Sequence, residues 1–509
     1  MNLFPYLNVL IILPVVASLV LAILPKSLNP KVFRNLGRGL ALVVFAISVA
    51  MAAQFKVGFG GFQMVSVHSW IPTFGISWSL GVDGISLVLV LLTSLLFLVA
   101  LFGAAENKDE KAYVAWMLLL EAACIGSFLA LDLFGFFLLF ELTLIPTYFL
   151  IGNWGFKNRG KAAVKFFVYT FLGSAFMLVG ILSLVFIHQA TTGHLTFELA
   201  QLTKTTLSSA TAKWLFLAFT AAFAVKAPVF PFHTWSPDAY GEAPTSTVMI
   251  LAGVMAKLGT YGMIRFDFQL FPAAAKSLAP ILMTLAVIGI VYGAIVASGE
   301  KDLKRLIAYS SLSHMGFIVL GLFALSTQGL SGAVLQMVNH GLYTAGMFLL
   351  VGLIYERHKS TDTNVLSGIQ AKAPIFAGVF TLVMMASIGV PGLNGFVGEF
   401  LILLGTFVTH RWWAVVAATG VIFSAIYLLW AYQKVFHRKD EADRPFAEIK
   451  KSEFLAIAPI LILIVFIGVY PRPFLDRIDP SVHTLMRQMS VTYTTPATSG
   501  SAIGSGVSK

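Results

Sequence analysis

The sequence predicts an all-α polytopic membrane protein with about 14 transmembrane helices, two inverted five-helix repeats and two discontinuous helices. Of its 509 residues, 58% are hydrophobic and 11% are charged, whereas a soluble domain carries roughly 25% charged residues. The apolar runs are continuous and reach about 20 residues, the length that spans a bilayer as an α-helix. A β-barrel would show alternating strands of about 10 residues instead.

Composition also excludes several classes of function. The single cysteine, Cys124, excludes a disulfide framework, a Cys-ligated zinc site and an iron–sulfur cluster. The net charge of +11 does not indicate nucleic-acid binding, because the basic residues lie between the spans. The N-terminus lacks a basic region and a clear cleavage site, so we expect a first span rather than a signal peptide.

Hydropathy places the spans along the chain, and two of them contain a break. They cover roughly 4–25, 37–55, 83–103, 112–131, 133–152, 164–187, 208–240, 244–265, 277–298, 303–324, 329–354, 374–408, 412–433 and 453–471. The seventh is interrupted at Lys226-Ala-Pro-Val-Phe-Pro231 and the twelfth at Pro391-Gly-Leu-Asn-Gly395. Because these two spans are five apart, their topologies are opposite, and 112–265 and 277–433 are interpreted as inverted repeats. Paired discontinuous helices indicate a transport site.

The remaining segments lie at the two ends. Residues 1–103 hold three spans and an outside loop, 56–82, whose β-branched and aromatic residues favour a small hairpin. The small polar residues of 490–509 predict a disordered tail after the last span, 453–471. With both termini outside, 22 of the 34 basic residues fall in inside loops and 10 in outside segments, Arg265 among the latter. The other two are Lys226 and Lys257, which we expect within the membrane.

Ionisable side chains lie near the middle of several predicted spans. They are Glu121, Glu141, Lys226, Lys257, His314, His340 and Glu399. Each charge at a bilayer centre costs about 2.5–3.5 kcal/mol on insertion scales, so such groups usually pair or line a proton path. A buried Glu–Lys pair can be a structural clamp, and Glu121 or either histidine alone can be a satisfied core residue. Two acids, two lysines and two histidines on six helices exceed what one clamp needs, and we interpret them as a proton pathway.

Two competing motifs fit poorly. The stretch Gly155-Phe-Lys-Asn-Arg-Gly160-Lys161 resembles a P-loop, but Ala162 replaces the magnesium-binding hydroxyl residue and no strand precedes it. His314 and His340 could ligate haem from adjacent helices, but no second histidine pair supports this.

Several motifs together carry a resemblance to a known family. They are Leu131-Asp132-Leu, Phe140-Glu141-Leu, Ile145-Pro146, Lys226-Ala-Pro-Val-Phe-Pro-Phe-His-Thr-Trp-Ser-Pro-Asp238, Ala243-Pro244-Thr245, Lys257-Leu-Gly-Thr-Tyr-Gly, the run from Asp302 to His314-Met-Gly, Asn339-His340-Gly, and Pro391-Gly-Leu-Asn-Gly-Phe-Val-Gly-Glu399. From about 80 to 440, the chain resembles the antiporter-like subunits of respiratory complex I, the proton-pumping NADH:quinone oxidoreductase. The most similar type is chain M, the counterpart of mitochondrial subunit 4.

One residue favours the M type and two depart from the family pattern. Glu399 stands where the sister chains L and N, and related cation/proton antiporter subunits, tend to carry lysine. Tyr240 stands where many members have His, and Ser236 where Leu is common. Neither departure touches the charged series, and with Tyr240 the histidine of the family pattern is absent from this loop position.

The resemblance implies roles for the in-span groups. These are an opening and closing ion pair of Glu141 and Lys226, a central relay at Lys257, a hydrated axis at His314 and His340, and terminal proton exchange at Glu399. It implies no cofactor in this chain, with NADH, FMN, iron–sulfur clusters and quinone in partner subunits. The L and N types would flank the chain in the bacterial inner (cytoplasmic) membrane. The alternatives are a subunit of a multisubunit cation/proton antiporter without redox coupling, and a structural scaffold without a proton path.

Overall fold

The computed structural model describes residues 4–25, 27–103, 109–440 and 444–491, and it confirms the all-α membrane architecture. Twelve helices among the described residues are long and apolar enough to cross a membrane, with α5 and α6 below counted as one. The helices are α1 Tyr6–Ile23, α2 Pro30–Gln54, α3 Gly84–Gly103, α4 Glu110–Leu129, α5 Leu133–Leu142, α6 Leu144–Trp154, α7 Arg159–Thr192, α8 Leu199–Leu202, α9 Ser209–Lys226, α10 Trp235–Glu242, α11 Thr245–Leu270, α12 Pro272–Gly299, α13 Leu303–Phe323, α14 Thr327–His358, α15 Ile369–Lys372, α16 Pro374–Ile388, α17 Asn394–Thr409, α18 Arg411–Tyr432, α19 Lys451–Val469 and α20 Arg472–Val491.

The two predicted breaks separate α9 from α10 and α16 from α17. In the first, Pro228 and Pro231 lack the backbone N–H that would continue the helix. In the second, Gly389 adopts a φ of +83°, which glycine reaches without strain, and this ends α16. These positions are compatible with inverted repeats over 112–265 and 277–433, which stay a proposal.

Three helices form the centre of the bundle. In their most apolar 18-residue windows, every residue of α11 and α14 and 94% of those of α13 are buried, against 28% in α2 and α19. The outer helices present large apolar side chains at the surface, as Val179 and Trp214 do. The central helices carry Lys257, His314 and His340, so these polar groups lie where the bundle is most enclosed.

One end of the bundle carries the predicted hairpin. Strands β1 (Gln63–Ile71) and β2 (Ile76–Val82) pair antiparallel within loop 56–82, as expected. Beside them lies the amphipathic helix α20, which has no counterpart among the predicted spans. Val482 and the apolar residues one helical turn before and after it are buried. The end formed by β1, β2 and α20 is the hairpin face. Residues 492–509 of the predicted tail lie outside the described residues.

Two basic residues correct the predicted charge distribution. The count assigns Arg265 to an outside segment, but α11 continues beyond the predicted end of its span and Arg265 is 2% exposed within it. Lys304, counted in an inside loop, lies in the first turn of α13 and is 3% exposed. Both find partners, because Arg265 pairs with Asp83 at 2.7 Å and Lys304 Nζ donates to the Ala243 carbonyl at 2.6 Å. Lys226 and Lys257 are thus not the only cations within the bundle.

Candidate functional site

Lys257 lies near the middle of α11 and is fully buried. It follows a π-helical turn at Leu251–Met255, a local widening that is frequent at functional sites. Its Nζ donates to the Ala252 carbonyl at 2.5 Å and lies 2.5 Å from Nδ1 of His340 on α14. The lysine therefore contacts a histidine of a neighbouring helix directly.

Gly259, two residues after Lys257, lets α9 lie against α11. A β-carbon at Gly259 would lie 2.4 Å from the Phe223 carbonyl oxygen and 2.6 Å from the Ala227 nitrogen. Only a residue without a side chain fits such a close backbone approach. The contact brings the end of α9, which carries Lys226, against the part of α11 that carries Lys257.

His340, His314 and Glu399 continue the series across α14, α13 and α17. The two imidazole ring centroids are 5.9 Å apart, and Nδ1 of His314 lies 2.8 Å from Oε1 of Glu399. All three side chains are buried. Nε2 of His314 also lies 3.3 Å from Ser387 Oγ, so both ring nitrogens contact protein atoms, which argues against haem ligation. With Lys257, four of the six predicted site residues form one contiguous series.

Two side chains that sequence reasoning missed complete the surroundings of Glu399. Gln336 Nε2 donates to Glu399 Oε1 at 3.1 Å and to the Tyr343 hydroxyl at 3.1 Å. The Tyr343 ring centroid lies 5.5 Å from that of His340. Gln336 precedes His340 by four residues, a spacing that places both on one helix face, and this signal could have found it. Gly389 at the break faces Oε2, which lies 3.1 Å from where a β-carbon would stand.

Glu141 and Lys226 lie in the first half of the chain and do not pair in this structure. Lys226 is 2% exposed, and its Nζ donates to Thr143 Oγ1 at 2.7 Å and lies 4.6 Å from the centre of the Phe140 ring. Glu141 is half-buried, and its Oε1 has no hydrogen-bond partner among the residues that the structure describes. Within the described chain, no nitrogen–oxygen distance up to 4.0 Å joins the two charges. That Glu141 and Lys226 form an ion pair in another conformation of the protein stays a prediction.

Thr143 was not singled out by the sequence. It separates α5 from α6, in a span expected to be continuous. Three residues later, Pro146 lacks an N–H, which weakens the helix at this point. This irregularity between α5 and α6 places the Thr143 hydroxyl within hydrogen-bond distance of Lys226 Nζ.

Glu121, the seventh in-span group, stands apart from both clusters. It is fully buried on α4, and neither carboxyl oxygen has a hydrogen-bond partner among the described residues. An unpaired carboxylate is costly in an apolar interior, so this geometry suits the neutral acid.

Comparison with known proteins assigns the chain to a family. Residues 130–425 match the family described as NADH:quinone oxidoreductase/Mrp antiporter, TM. The chain belongs to this family. It is 39% identical to a protein of Mycobacterium tuberculosis named NADH-quinone oxidoreductase subunit M, over 99% of this chain and 100% of the relative. It is 38% identical to a protein of Arabidopsis thaliana named NADH-ubiquinone oxidoreductase chain 4, over 94% of this chain and 97% of the relative.

A solved structure supports the same assignment for the fold. A chain in the structure of respiratory complex I from Thermus thermophilus with bound NADH matches at a TM-score of 0.86 and 31% identity, covering 95% of this chain and 99% of that one. The resemblance inferred from the motifs is therefore confirmed. The six site residues lie between Glu141 and Glu399, inside the segment that matches the family, and their individual roles remain predictions.

Proposed function

We propose that the chain is a proton-translocating membrane subunit of an NADH:quinone oxidoreductase, respiratory complex I, of the subunit M or chain 4 type. The contiguous series from Lys257 through His340 and His314 to Glu399 carries the proposal. These groups can each gain and lose a proton, and they meet inside the bundle. The names of the relatives, which match this chain over nearly its whole length, support the same function.

The redox chemistry would take place elsewhere in the complex. NADH, FMN, iron–sulfur clusters and quinone would belong to partner subunits, and this chain would respond to quinone reduction there. Sister chains of the L and N types would flank it in the bacterial inner membrane, with both termini outside. The apolar side chains exposed on α7, such as Phe176 and Val179, suit contact with lipid or with another membrane subunit.

The two histidines can carry a proton along the series. Imidazole can take a proton at one ring nitrogen and release one from the other. In His340, Nδ1 faces Lys257, whereas the buried Nε2 has no hydrogen bond of normal geometry to the part of the chain that the structure describes, so it can bind a bridging water. Such a water would connect His340 to His314, whose Nδ1 contacts Glu399. A proton leaving Lys257 would thus reach Glu399.

The Lys226 contact suggests how the series is controlled. In this structure its ammonium is held by Thr143 rather than by Glu141. An opposite charge stabilises an ammonium, so separation of Lys226 from Glu141 favours proton release toward Lys257. Movement of Lys226 between Thr143 and Glu141 would be the switch that a neighbouring subunit controls.

The second candidate is a subunit of a cation/proton antiporter without redox coupling. The family description names Mrp antiporters beside the oxidoreductases, so the family alone admits it. Glu399 and the full-length oxidoreductase relatives favour the first function. Purification of the native complex decides between them, because flavin and iron–sulfur clusters would accompany this chain only in the oxidoreductase.

Proton pumping by reconstituted complex tests the proposal. We expect Glu141→Gln and Lys226→Ala to abolish most NADH-driven proton uptake into proteoliposomes at normal assembly. Lys204→Ala is the matched control, because Lys204 is exposed and its ammonium makes a weak surface hydrogen bond to Gln201, at 3.5 Å. If both variants pump as well as Lys204→Ala, the chain is a scaffold and the proposal is wrong.

A further inference from the structure

A buried ion pair lies between Lys257 and the hairpin face. Arg265 Nη2 donates to Asp83 Oδ2 at 2.7 Å, and the side chains are 2% and 5% exposed. Arg265 follows Lys257 by two helical turns on α11, a rise of about 12 Å. Asp83 directly precedes α3. The proton series proposed above leaves this pair unused.

Tyr261 lies between Lys257 and Arg265, and its hydrogen bonds end a proton path instead of continuing it. Its hydroxyl donates to the Phe128 carbonyl at 2.7 Å and accepts from Arg265 Nε at 3.1 Å. To relay a proton, a hydroxyl must accept from an acid and donate to a base. Here the donor is a guanidinium, which keeps its protons at physiological pH, and the acceptor is a backbone carbonyl.

Both carboxylate oxygens of Asp83 also accept hydrogen bonds. Its Oδ1 accepts from the backbone N–H of Ser86 at 2.9 Å and from the Ser86 hydroxyl at 3.1 Å, while Oδ2 accepts from Arg265. In this arrangement Nε of Arg265 points toward Tyr261, which lies between it and Lys257 in the helix, and Nη2 points toward Asp83. A proton moving from Lys257 toward the hairpin face therefore meets a fixed positive charge before it meets the carboxylate.

A large cavity lies near the pair, at the hairpin face. It measures about 940 Å³, opens at the hairpin face and is lined by residues that include Phe62, Phe268 and Arg487. The Phe62 ring centre lies 4.7 Å from the central carbon of the Arg265 guanidinium. The Phe62 ring therefore lines this cavity on one side and contacts the guanidinium of the ion pair on the other.

We propose that Arg265, held by Asp83 and Tyr261, is a proton barrier that prevents Lys257 from exchanging protons with water at the hairpin face. Positively charged side chains exclude protons from water-selective pores in the same way. The barrier rests on the proposed function, because it matters only if Lys257 carries protons. Arg265 is a barrier residue and carries no proton itself.

Passive proton flux tests the barrier. Intact complex would be reconstituted in proteoliposomes, and proton entry down an imposed pH gradient would be measured without NADH. We expect the neutral pair Asp83→Asn with Arg265→Gln to leak several-fold more than the wild type, because no buried charge is left unpaired and no barrier charge remains. Arg265→Lys retains the charge and should stay tight. Assembly is checked by NADH oxidation with an artificial electron acceptor.

A third substitution traces the route of the leak. Adding Lys257→Met to the neutral pair should return proton flux to the wild-type level. As the matched control, Arg357→Gln with Glu453→Gln removes an ion pair of 2.6 Å away from the hairpin face and should not leak. A leak that persists without Lys257 would show a bypass, for which the buried carboxyl of Asp267 on the same helix is one candidate, and would overturn the proposal.

A comparison of the two single variants distinguishes a barrier from a structural clamp. This comparison is informative even if the neutral double variant assembles poorly. A barrier predicts that Arg265→Gln leaks and Asp83→Asn does not, because the guanidinium charge survives only in the latter. A clamp predicts equal effects of both, and that result would overturn the barrier. Neither result bears on the pumping test with Glu141→Gln and Lys226→Ala, so failure of the barrier can be told apart from failure of the proposed function.

Discussion

Nδ1 of His314 lies 2.8 Å from Oε1 of Glu399, although the two residues are 85 positions apart in the chain. The contact joins α13 to the helix that follows the second break. Since both side chains are buried, this pair is the end of the proton series that the structure brings together.

Glu399→Gln keeps the size of the side chain and removes the carboxylate that receives the proton from His314. We expect NADH-driven pumping to fall at least about tenfold, equivalent to ~1.4 kcal/mol of activation free energy. The measurement is proton uptake per NADH oxidised in proteoliposomes. Glu300→Gln is the control, since Glu300 forms an ion pair of 3.4 Å that is partly exposed and worth little. Equal pumping by the two variants would remove Glu399 from the pathway.

Lys257 and His340 should act as one unit because their nitrogens are 2.5 Å apart. Lys257→Met and His340→Gln are each expected to abolish most pumping, and the double variant should be no worse than either single variant. The measurement is a double-mutant cycle on pumping rate. Pairing Lys257→Met with Lys204→Ala provides an independent pair. Additive losses from Lys257 and His340 would show that they serve separate paths.

Thr143→Val removes the hydroxyl that accepts from Lys226 at 2.7 Å while keeping the volume of the side chain. A hydrogen bond to a charged group contributes about 1.5–3 kcal/mol, so Lys226 should shift toward Glu141 and pumping should slow several-fold. Thr143→Ser keeps the hydroxyl and should restore the rate. A normal rate in the valine variant would mean that the Thr143 contact has no part in the switch.

Gly259→Ala should loosen the packing of α9 on α11, because its β-carbon would lie 2.4 Å from the Phe223 carbonyl oxygen. Overpacking of this kind typically costs about 1–3 kcal/mol, and we expect a lower temperature of thermal inactivation. Gly378→Ala on α16 is the matched control, because no atom of the described residues lies within 4 Å of its added carbon. That control should be neutral or slightly stabilising, since alanine favours helix. Equal thermal stability of the two variants would contradict the close approach.

Asp440 provides a pH-dependent contact outside the membrane spans. The hydrogen bond from Lys372 Nζ, at 2.9 Å, and that from the Arg444 N–H lower the pKa of its carboxyl to about 2. The carboxyl of the unfolded chain has a pKa of about 3.9, so this stabilisation is complete above that pH and is lost as pH falls toward 2.

Pepsin cleavage of the detergent-solubilised complex between pH 5 and about 2 checks this titration. In the wild type, the segment around Asp440 should become cleavable as the carboxylate is protonated. In Asp440→Asn it should be cleavable throughout, and the comparison at each pH cancels the pH dependence of the protease. The same pH profile in both proteins would rule out a role for the Lys372–Asp440 contact in ordering this segment.

Local sequence features predicted much of the fold. The spans follow from hydropathy, and both breaks follow from the prolines and glycines at Lys226–Pro231 and Pro391–Gly395. The hairpin follows from β-branched and aromatic residues. By contrast, α20 was not predicted. Its apolar residues are one helical turn apart with polar residues between them, which lowers the mean hydropathy on which a search for spans depends.

The sequence by itself determined that acids, lysines and histidines lie at membrane depth on separate helices, because residue type and position within an apolar run are local properties. Only the tertiary structure decided which of them meet. Lys226 contacts Thr143 instead of Glu141, and Arg265 lies within the bundle, paired with Asp83. The physical reason is that distances between helices are set by how side chains and glycines pack across the bundle, which no single segment of the chain specifies.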